Sequence, residues 1–197
     1  MKKKILIIGF GSIGKRHALV LRKFKSVGEI FILTKQKISE FKSIRNLKEI
    51  NFIDPDYILI CSKTLDHYKH LKYIEKNFKN KLILVEKPLF EKNKNLNIKN
   101  NKVFVGYNLR YHPIIRFIKN KIKGKKIFSV YIFCGSYLPN WRKNQNYKFC
   151  YSSKKKMGGG VLLDLSHEID YLQWIFGKIK KIDYAKIKKI SNLKIDS

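Results

Sequence analysis

Three glycines in the pattern Gly9-x-Gly11-x-x-Gly14 follow the apolar run Lys4-Ile5-Leu6-Ile7-Ile8 and precede a stretch in which Ile13, His17, Leu21 and Phe24 recur at helical spacing. Where a strand turns into a helix, that spacing builds a cradle for a diphosphate. The first glycine permits the tight turn, the second lets backbone approach the phosphates, and the third lets helix pack on strand. The loop residues Phe10, Ser12 and Ile13 complete the cradle at the helix N-terminus. A glycine turn of another α/β fold, a methyltransferase among them, has the same local look. Gly9, Gly14 and Lys15 also nearly spell the phosphate-transfer loop GxxxxGK. Arg16 stands where that loop needs a magnesium-binding hydroxyl, which excludes phosphate transfer.

A dinucleotide held this way presents its adenine ribose to the end of the second strand, where a carboxylate selects NAD. Here the residues are Leu33-Thr34-Lys35-Gln36-Lys37, with no acid and two lysines. Thr34 and Lys35 are therefore expected at the coenzyme, with NADP favoured over NAD; the alternative is that both lysines belong to the general lysine excess. Cys61, Thr64 and His67, at and just beyond a later strand end, are expected to border the coenzyme. Glu86-Lys87-Pro88 follows another apolar run and lies at a strand's carboxyl end, the side on which open α/β sheets bind ligands. His17 and His67 fall at expected helix starts, where capping or packing is the commoner role, and His112 before Pro113 is read as structural.

The elements that must position these residues follow from periodicity. Strands are expected near 4–8, 29–33, 56–61, 81–85 and 103–105, with helices between the first and second and between the third and fourth, which is the alternation of a parallel sheet with helices on both faces. The Asn- and Lys-rich segment from Glu91 to Lys102 is expected to be a surface helix or loop. Beyond it a helix is expected from Pro113 to Ile122, a long strand from Lys126 to Tyr137, an apolar helix from Val161 to Phe176 closed by Gly177, and a weak strand near Ile179 to Ile187. The fold class is thus α/β, a doubly wound dinucleotide-binding domain over 1–112 followed by an incomplete α+β domain over 113–197.

Composition narrows the function classes. The chain has 197 residues, 44% of them hydrophobic and 13% aromatic, enough for one core and a smaller second lobe and too apolar for a disordered chain. Lys+Arg number 44 against 14 Asp+Glu, a formal charge of +30. The excess is nearly all lysine and runs from Lys2 to Lys194, a solvated surface more than a nucleic-acid site, which concentrates arginine and aromatics. Such a surface still favours phosphorylated ligands. Cys61, Cys134 and Cys150 are odd in number and lack metal-ligand spacing, so reduced thiols in a cytoplasmic protein and no metal are expected. The start MKKKILIIGF imitates a signal peptide, but its apolar run is too short, and no stretch reaches the roughly 18 apolar residues of a membrane span.

Taken together, the glycine turn, Glu86-Lys87-Pro88, the run from Gly106-Tyr107-Asn108-Leu109-Arg110 to Pro113, and Gly158-Gly159-Gly160 leading through Asp164 and His167 to Asp170 resemble the Gfo/Idh/MocA oxidoreductase family. The resemblance covers essentially the whole chain. It implies a Rossmann-type nucleotide domain and hydride transfer between nicotinamide and a sugar, cyclitol or nucleotide-sugar hydroxyl. It also implies a Lys87 that hydrogen-bonds the reacting oxygen, a cis Lys87–Pro88 bond, and a proton-transferring His167. Imidazole titrates near neutrality and suits that proton, and an ammonium stabilises charge developing on oxygen. Asp164 precedes His167 by three residues where the family uses four; either spacing shares a helix face, so Asp164 is expected to orient or bind substrate, and Asp170 beside it.

Pro139-Asn140-Trp141-Arg142 and Tyr151-Ser152 resemble a loop of family members tied to surface-polysaccharide or nonulosonate sugars, although Asn146-Tyr147-Lys148 replaces their usual Asp-Tyr-Arg. Trp141 would stack on a sugar and Arg142 would pair with an anion, with Asn108 and Arg110 as further substrate contacts. The family's members run longer, so a C-terminal truncation is expected, together with a homo-oligomer formed through the second domain. The alternatives are a non-catalytic dinucleotide-binding or regulatory protein and a basic nucleic-acid binder.

Overall fold

The computed structural model describes residues 1–141, 146–188 and 192–195. Six parallel strands form one sheet in the order β3-β2-β1-β4-β5-β6. Strand β1 is Lys3–Ile8, β2 Val27–Leu33, β3 Lys42–Ile44, β4 Tyr57–Ile60, β5 Leu82–Val85 and β6 Lys102–Val105. Helix α1 (Ser12–Leu21) links β1 to β2, the short α2 (Ile50–Ile53) follows β3, and α3 (Thr64–Asn77) links β4 to β5. The chain winds outward from β1 to β3, then crosses back so that β4 pairs with the other side of β1. That reversal opens a crevice above the carboxyl ends of β1 and β4, where sheets of this kind take ligands.

The continuous apolar runs read as doubly buried strands are such strands: Leu6, Ile7 and Ile8 are at most 1% exposed. One face carries Leu6, Ile8, Ile58 and Ile83 against Leu71 and Ile74 of α3. On the other, Ile5, Ile7 and Ile32 pack with Ala18 of α1. Strand β3 and helix α2 were not foreseen, because three residues and four carry too little periodicity to register. Between β5 and β6 no helix forms. The loop instead drops Leu89, Phe90, Leu96 and Ile98 onto the α3 face of the core.

Contacts divide the chain into two units, Met1–Gly106 and Tyr107–Ser197. The second contains α4 (Pro113–Lys121), α5 (Val161–Asp164) and α6 (Ser166–Phe176). Among its described residues there is no strand. The expected strands at 126–137 and 179–187 are irregular chain, and Phe128, Tyr131 and Phe133 are 83–90% exposed. A strand needs a paired neighbour for its backbone groups, and none is present among the described residues. The apolar helix expected over 161–176 is broken at Leu165, whose φ of −99° and ψ of 18° separate α5 from α6.

Candidate active site

The glycine turn lies at the carboxyl end of β1. Gly9 has φ +98°, and a Cβ there would come within 2.7 Å of the Ser62 backbone beyond β4. A Cβ on Gly14 would sit 2.2 Å from the Gly9 carbonyl oxygen. Both glycines are therefore demanded by the protein's own packing. Gly11 differs: its backbone is extended, and a Cβ would meet nothing within 4 Å. It caps α1 with no side-chain hydrogen bond, so the first-turn amides face open space that a side chain would fill. Unsatisfied amides and a helix N-terminus attract a diphosphate, and the site fits the group for which the spacing was read. Ser12 is exposed, and Ile13 packs against the core. The Phe10 side chain turns inward, 7% exposed and edge-on to Phe41 at 6.0 Å between centroids, so what it offers a ligand is its backbone.

Cys61 directly follows β4 and is buried, its amide donating to the Ile8 carbonyl at 2.8 Å. Burial pushes its thiol up, with the Glu86 carboxylate adding to the shift, so it remains a neutral wall beside Gly14. Thr64 opens α3 and is also buried. His67 is 1% exposed. Its Nδ1 faces the Pro88 and Leu89 carbonyls at 3.1 and 3.2 Å, and its Nε2 faces the Ser62 carbonyl at 3.0 Å. It stands in the first turn of α3 as a strut under the segment after β5. At the β2 end, Thr34 Oγ1 accepts from the Gln36 amide at 3.1 Å, and Lys35 is exposed.

Glu86 follows β5 with its carboxylate turned inward. Oε1 pairs with His17 Nε2 of α1 at 2.7 Å, and Oε2 accepts from the Lys87 amide at 3.3 Å. A Cβ on Gly106 would come within 3.3 Å of this carboxylate, so glycine there leaves it room. The pairing ties α1 to the segment carrying Lys87, a role not expected for His17, which sits in the middle of α1 and away from its start. Its spacing three residues after Gly14 was the available signal. The Lys87–Pro88 bond is cis.

In the second unit, Asp164 is buried at the end of α5 and His167 lies in the first turn of α6. The break at Leu165 means that the shared-face argument for these two does not apply to one continuous helix. His167 Nε2 pairs with Glu168 Oε1 at 3.1 Å, and Glu168 Oε2 accepts from the Tyr171 hydroxyl at 2.5 Å. Burial first, then that bond and the Glu168 charge, push the Tyr171 hydroxyl up to about 12. Glu168 and Tyr171 were not among the expected residues; their spacing of three on one helix was the only sign.

Arg110 and Asp170 hold each other through a two-pronged bond, Nε to Oδ2 at 2.8 Å and Nη2 to Oδ1 at 2.5 Å. Bonding to Asp170 raises the Arg110 pKa above its ordinary value. Asn108 opens the same short turn as Arg110. Trp141 is 40% exposed and donates from Nε1 to Ser136 Oγ at 2.5 Å; Arg142 lies outside the described residues. The triple glycine is packed tightly, since a Cβ on Gly159 would come within 1.9 Å of the Tyr151 carbonyl. No group of three or more His, Cys, Asp or Glu among the described residues is arranged to hold a metal, and no described helix is long and apolar enough to cross a membrane.

Residues 3–104 match the oxidoreductase family with an NAD-binding Rossmann fold, and residues 119–192 match that family's C-terminal α/β domain. The chain belongs to the Gfo/Idh/MocA family. Among solved structures it is similar to the WlbA dehydrogenase from Bordetella pertussis in complex with NADH and UDP-GlcNAcA, at 14% identity and a TM-score of 0.68 over 90% of this chain and 59% of that one. The WlbA (WbpB) dehydrogenase from Thermus thermophilus, in complex with NAD and α-ketoglutarate, gives 19% and 0.67 over 90% and 63%. A myo-inositol 2-dehydrogenase from Lactobacillus plantarum gives 22% and 0.53 over 62% and 41%. At these identities the likeness concerns the fold. This member of the family spans 59% of the Bordetella enzyme's length. Among curated proteins none is similar enough in sequence to match.

Proposed function

We propose that this family member is an NAD(P)-dependent oxidoreductase acting on the hydroxyl of a sugar, cyclitol or nucleotide sugar. The observation that carries the reading is the contrast among the three glycines: two are fixed by internal packing, while Gly11 opens a cradle over uncapped helix amides. Gly9 to Gly14 would hold the diphosphate, and Thr34 and Lys35 the adenosine end, with a 2′-phosphate favoured by the absence of a carboxylate. A bound nicotinamide coenzyme supplies the hydride acceptor or donor. Lys87 donates a hydrogen bond to the substrate oxygen and stabilises the charge that develops there. His167 takes the hydroxyl proton, without which hydride removal leaves no carbonyl, and Glu168, paired with Nε2 of the ring, stabilises its charged form.

Asp164 orients that histidine or binds substrate. Asn108, the Arg110–Asp170 pair, Trp141 and Arg142 bind the remainder of the substrate, and the second domain carries assembly between copies. A +30 charge suits an anionic ligand, and WlbA enzymes of the same fold make a nucleotide sugar the first class to test.

Titration calorimetry with NAD+ and NADP+, followed by absorbance at the nicotinamide band across a panel of sugars and nucleotide sugars, tests the reading. Coenzyme uptake with turnover is the expected result. Uptake with no absorbance change on any substrate would favour a non-catalytic dinucleotide-binding protein. Failure of the folded protein to take up either coenzyme would end the enzymatic reading.

A further inference from the structure

The carboxyl end of β2 holds one more cation than the residues expected there. Arg45 directly follows β3, and the Thr34 amide donates to the Ile44 carbonyl at 3.1 Å, so the ends of β2 and β3 lie side by side. Arg45 Nη1 donates to the carbonyls of Thr34 at 3.1 Å and Gln36 at 2.8 Å. Those bonds span the turn that the Gln36 amide closes on Thr34 Oγ1. Lys35 lies within the spanned turn and Lys37 just after it, both exposed. The Glu49 carboxylate on the neighbouring turn accepts from the backbone amides of Arg45 and Asn46 at 3.2 and 3.0 Å. Its Oε1 is taken up by these amides and by the Asn46 side chain, and among the described residues no carboxylate binds the guanidinium.

We propose that Arg45 selects a coenzyme bearing a 2′-phosphate on its adenosine ribose, with Lys35 as the second cation; this rests on the dinucleotide reading of the glycine turn. Two carbonyls already fix Nη1, so the planar fork is held in place before a ligand arrives, and its Nε and Nη2 donors make no hydrogen bond among the described residues. A pre-positioned guanidinium matches a phosphate monoester, which a mobile lysine meets only as a point charge. Composition sharpens the point: only six of the 44 basic residues are arginine, and one of them is fastened across this turn. A 2′-hydroxyl offers that cation no charge to neutralise, so the side chain bears on NADP+ and scarcely on NAD+.

Calorimetric titration of NADP+ and NAD+ into the wild type, Arg45→Gln, Arg45→Lys and Lys35→Gln tests this. Arg45→Gln keeps a donor for the turn carbonyls and removes the charge. The expected result is a loss of NADP+ affinity of about tenfold or more, with NAD+ affinity changed less than about twofold. Arg45→Lys, keeping charge without the fork, falls between, as does Lys35→Gln. Equal losses for both coenzymes would make Arg45 a turn staple and overturn the proposal, as would unchanged NADP+ affinity in a variant that melts like the wild type. A wild type that binds NAD+ alone overturns it while leaving the dinucleotide reading intact. One that binds neither coenzyme removes both.

Discussion

Spacing assigns Gly9, Gly11 and Gly14 different tasks, and their surroundings in the structure differ as well. Gly14 must lack a Cβ because the Gly9 carbonyl would be 2.2 Å away, whereas Gly11 has open space above it. Gly14→Ala is therefore expected to lower unfolding free energy by about 3 kcal/mol, the upper end of the overpacking range, in urea denaturation. Gly11→Ala, in an extended backbone any residue adopts, should leave stability within about 0.5 kcal/mol. The same variant should weaken coenzyme uptake at least tenfold by calorimetry, because the methyl group lies where the phosphates approach (an effect of order 1.4 kcal/mol). If the two variants destabilise alike, the division of labour among the glycines is wrong. His17 and Glu86 show the other side of residue-scale reading: each was legible, but their pairing across 69 positions was not.

Among the elements, the Asn- and Lys-rich segment before β6 has the most to teach. Its composition reads as surface filler. In the fold it is an anchor: Glu75 of α3 accepts from the Lys99 and Asn100 amides, both at 2.7 Å, and from Asn101 Nδ2 at 2.8 Å. Burial by itself raises the Glu75 carboxyl, but the bonds from Asn100, Asn101 and Lys99 outweigh it and hold the group below its ordinary value. A depressed carboxyl adds stability that is fully present above its unfolded value near 4.5 and is lost as pH falls through the folded one. His70 of α3 is also depressed, by burial first, with its Nδ1 at 2.9 Å from Ser62 Oγ. Its contribution is present above about 6.5 and fades as the ring is forced to protonate at lower pH. Melting temperature should thus begin to fall below about pH 6.5 and fall faster below pH 4.5. Glu75→Ala, which strands several donors, should cost about 2–3 kcal/mol near neutrality and flatten the lower limb of that profile in differential scanning calorimetry.

At the scale of the molecule the two units are unequal. Every buried hydrophobic side chain among the described residues lies between Ile5 and Val85, while the second unit buries Ser152, Ser153 and Asp164. Lysines supply cleavage sites along the whole chain, so protection from trypsin reports structure more than sequence. Limited digestion followed by mass spectrometry should leave a resistant fragment close to Met1–Gly106, with early cuts between residues 123 and 156. Early cleavage inside α3 or β5 would contradict the assignment of the core to the first unit. What the sequence determined unaided was whatever depends on local order: strand and helix alternation in the first hundred residues, the glycine turn, and the motif set that identifies the family. Periodicity and turn chemistry act between near neighbours, so they are written in consecutive residues. Only the tertiary structure decided that His17 pairs with Glu86, that Arg45 crosses the β2 turn, and that the segment at 126–137 is not a strand. Each of those depends on which distant groups the fold brings within a few ångströms, or fails to bring, and no stretch of sequence contains its own partner.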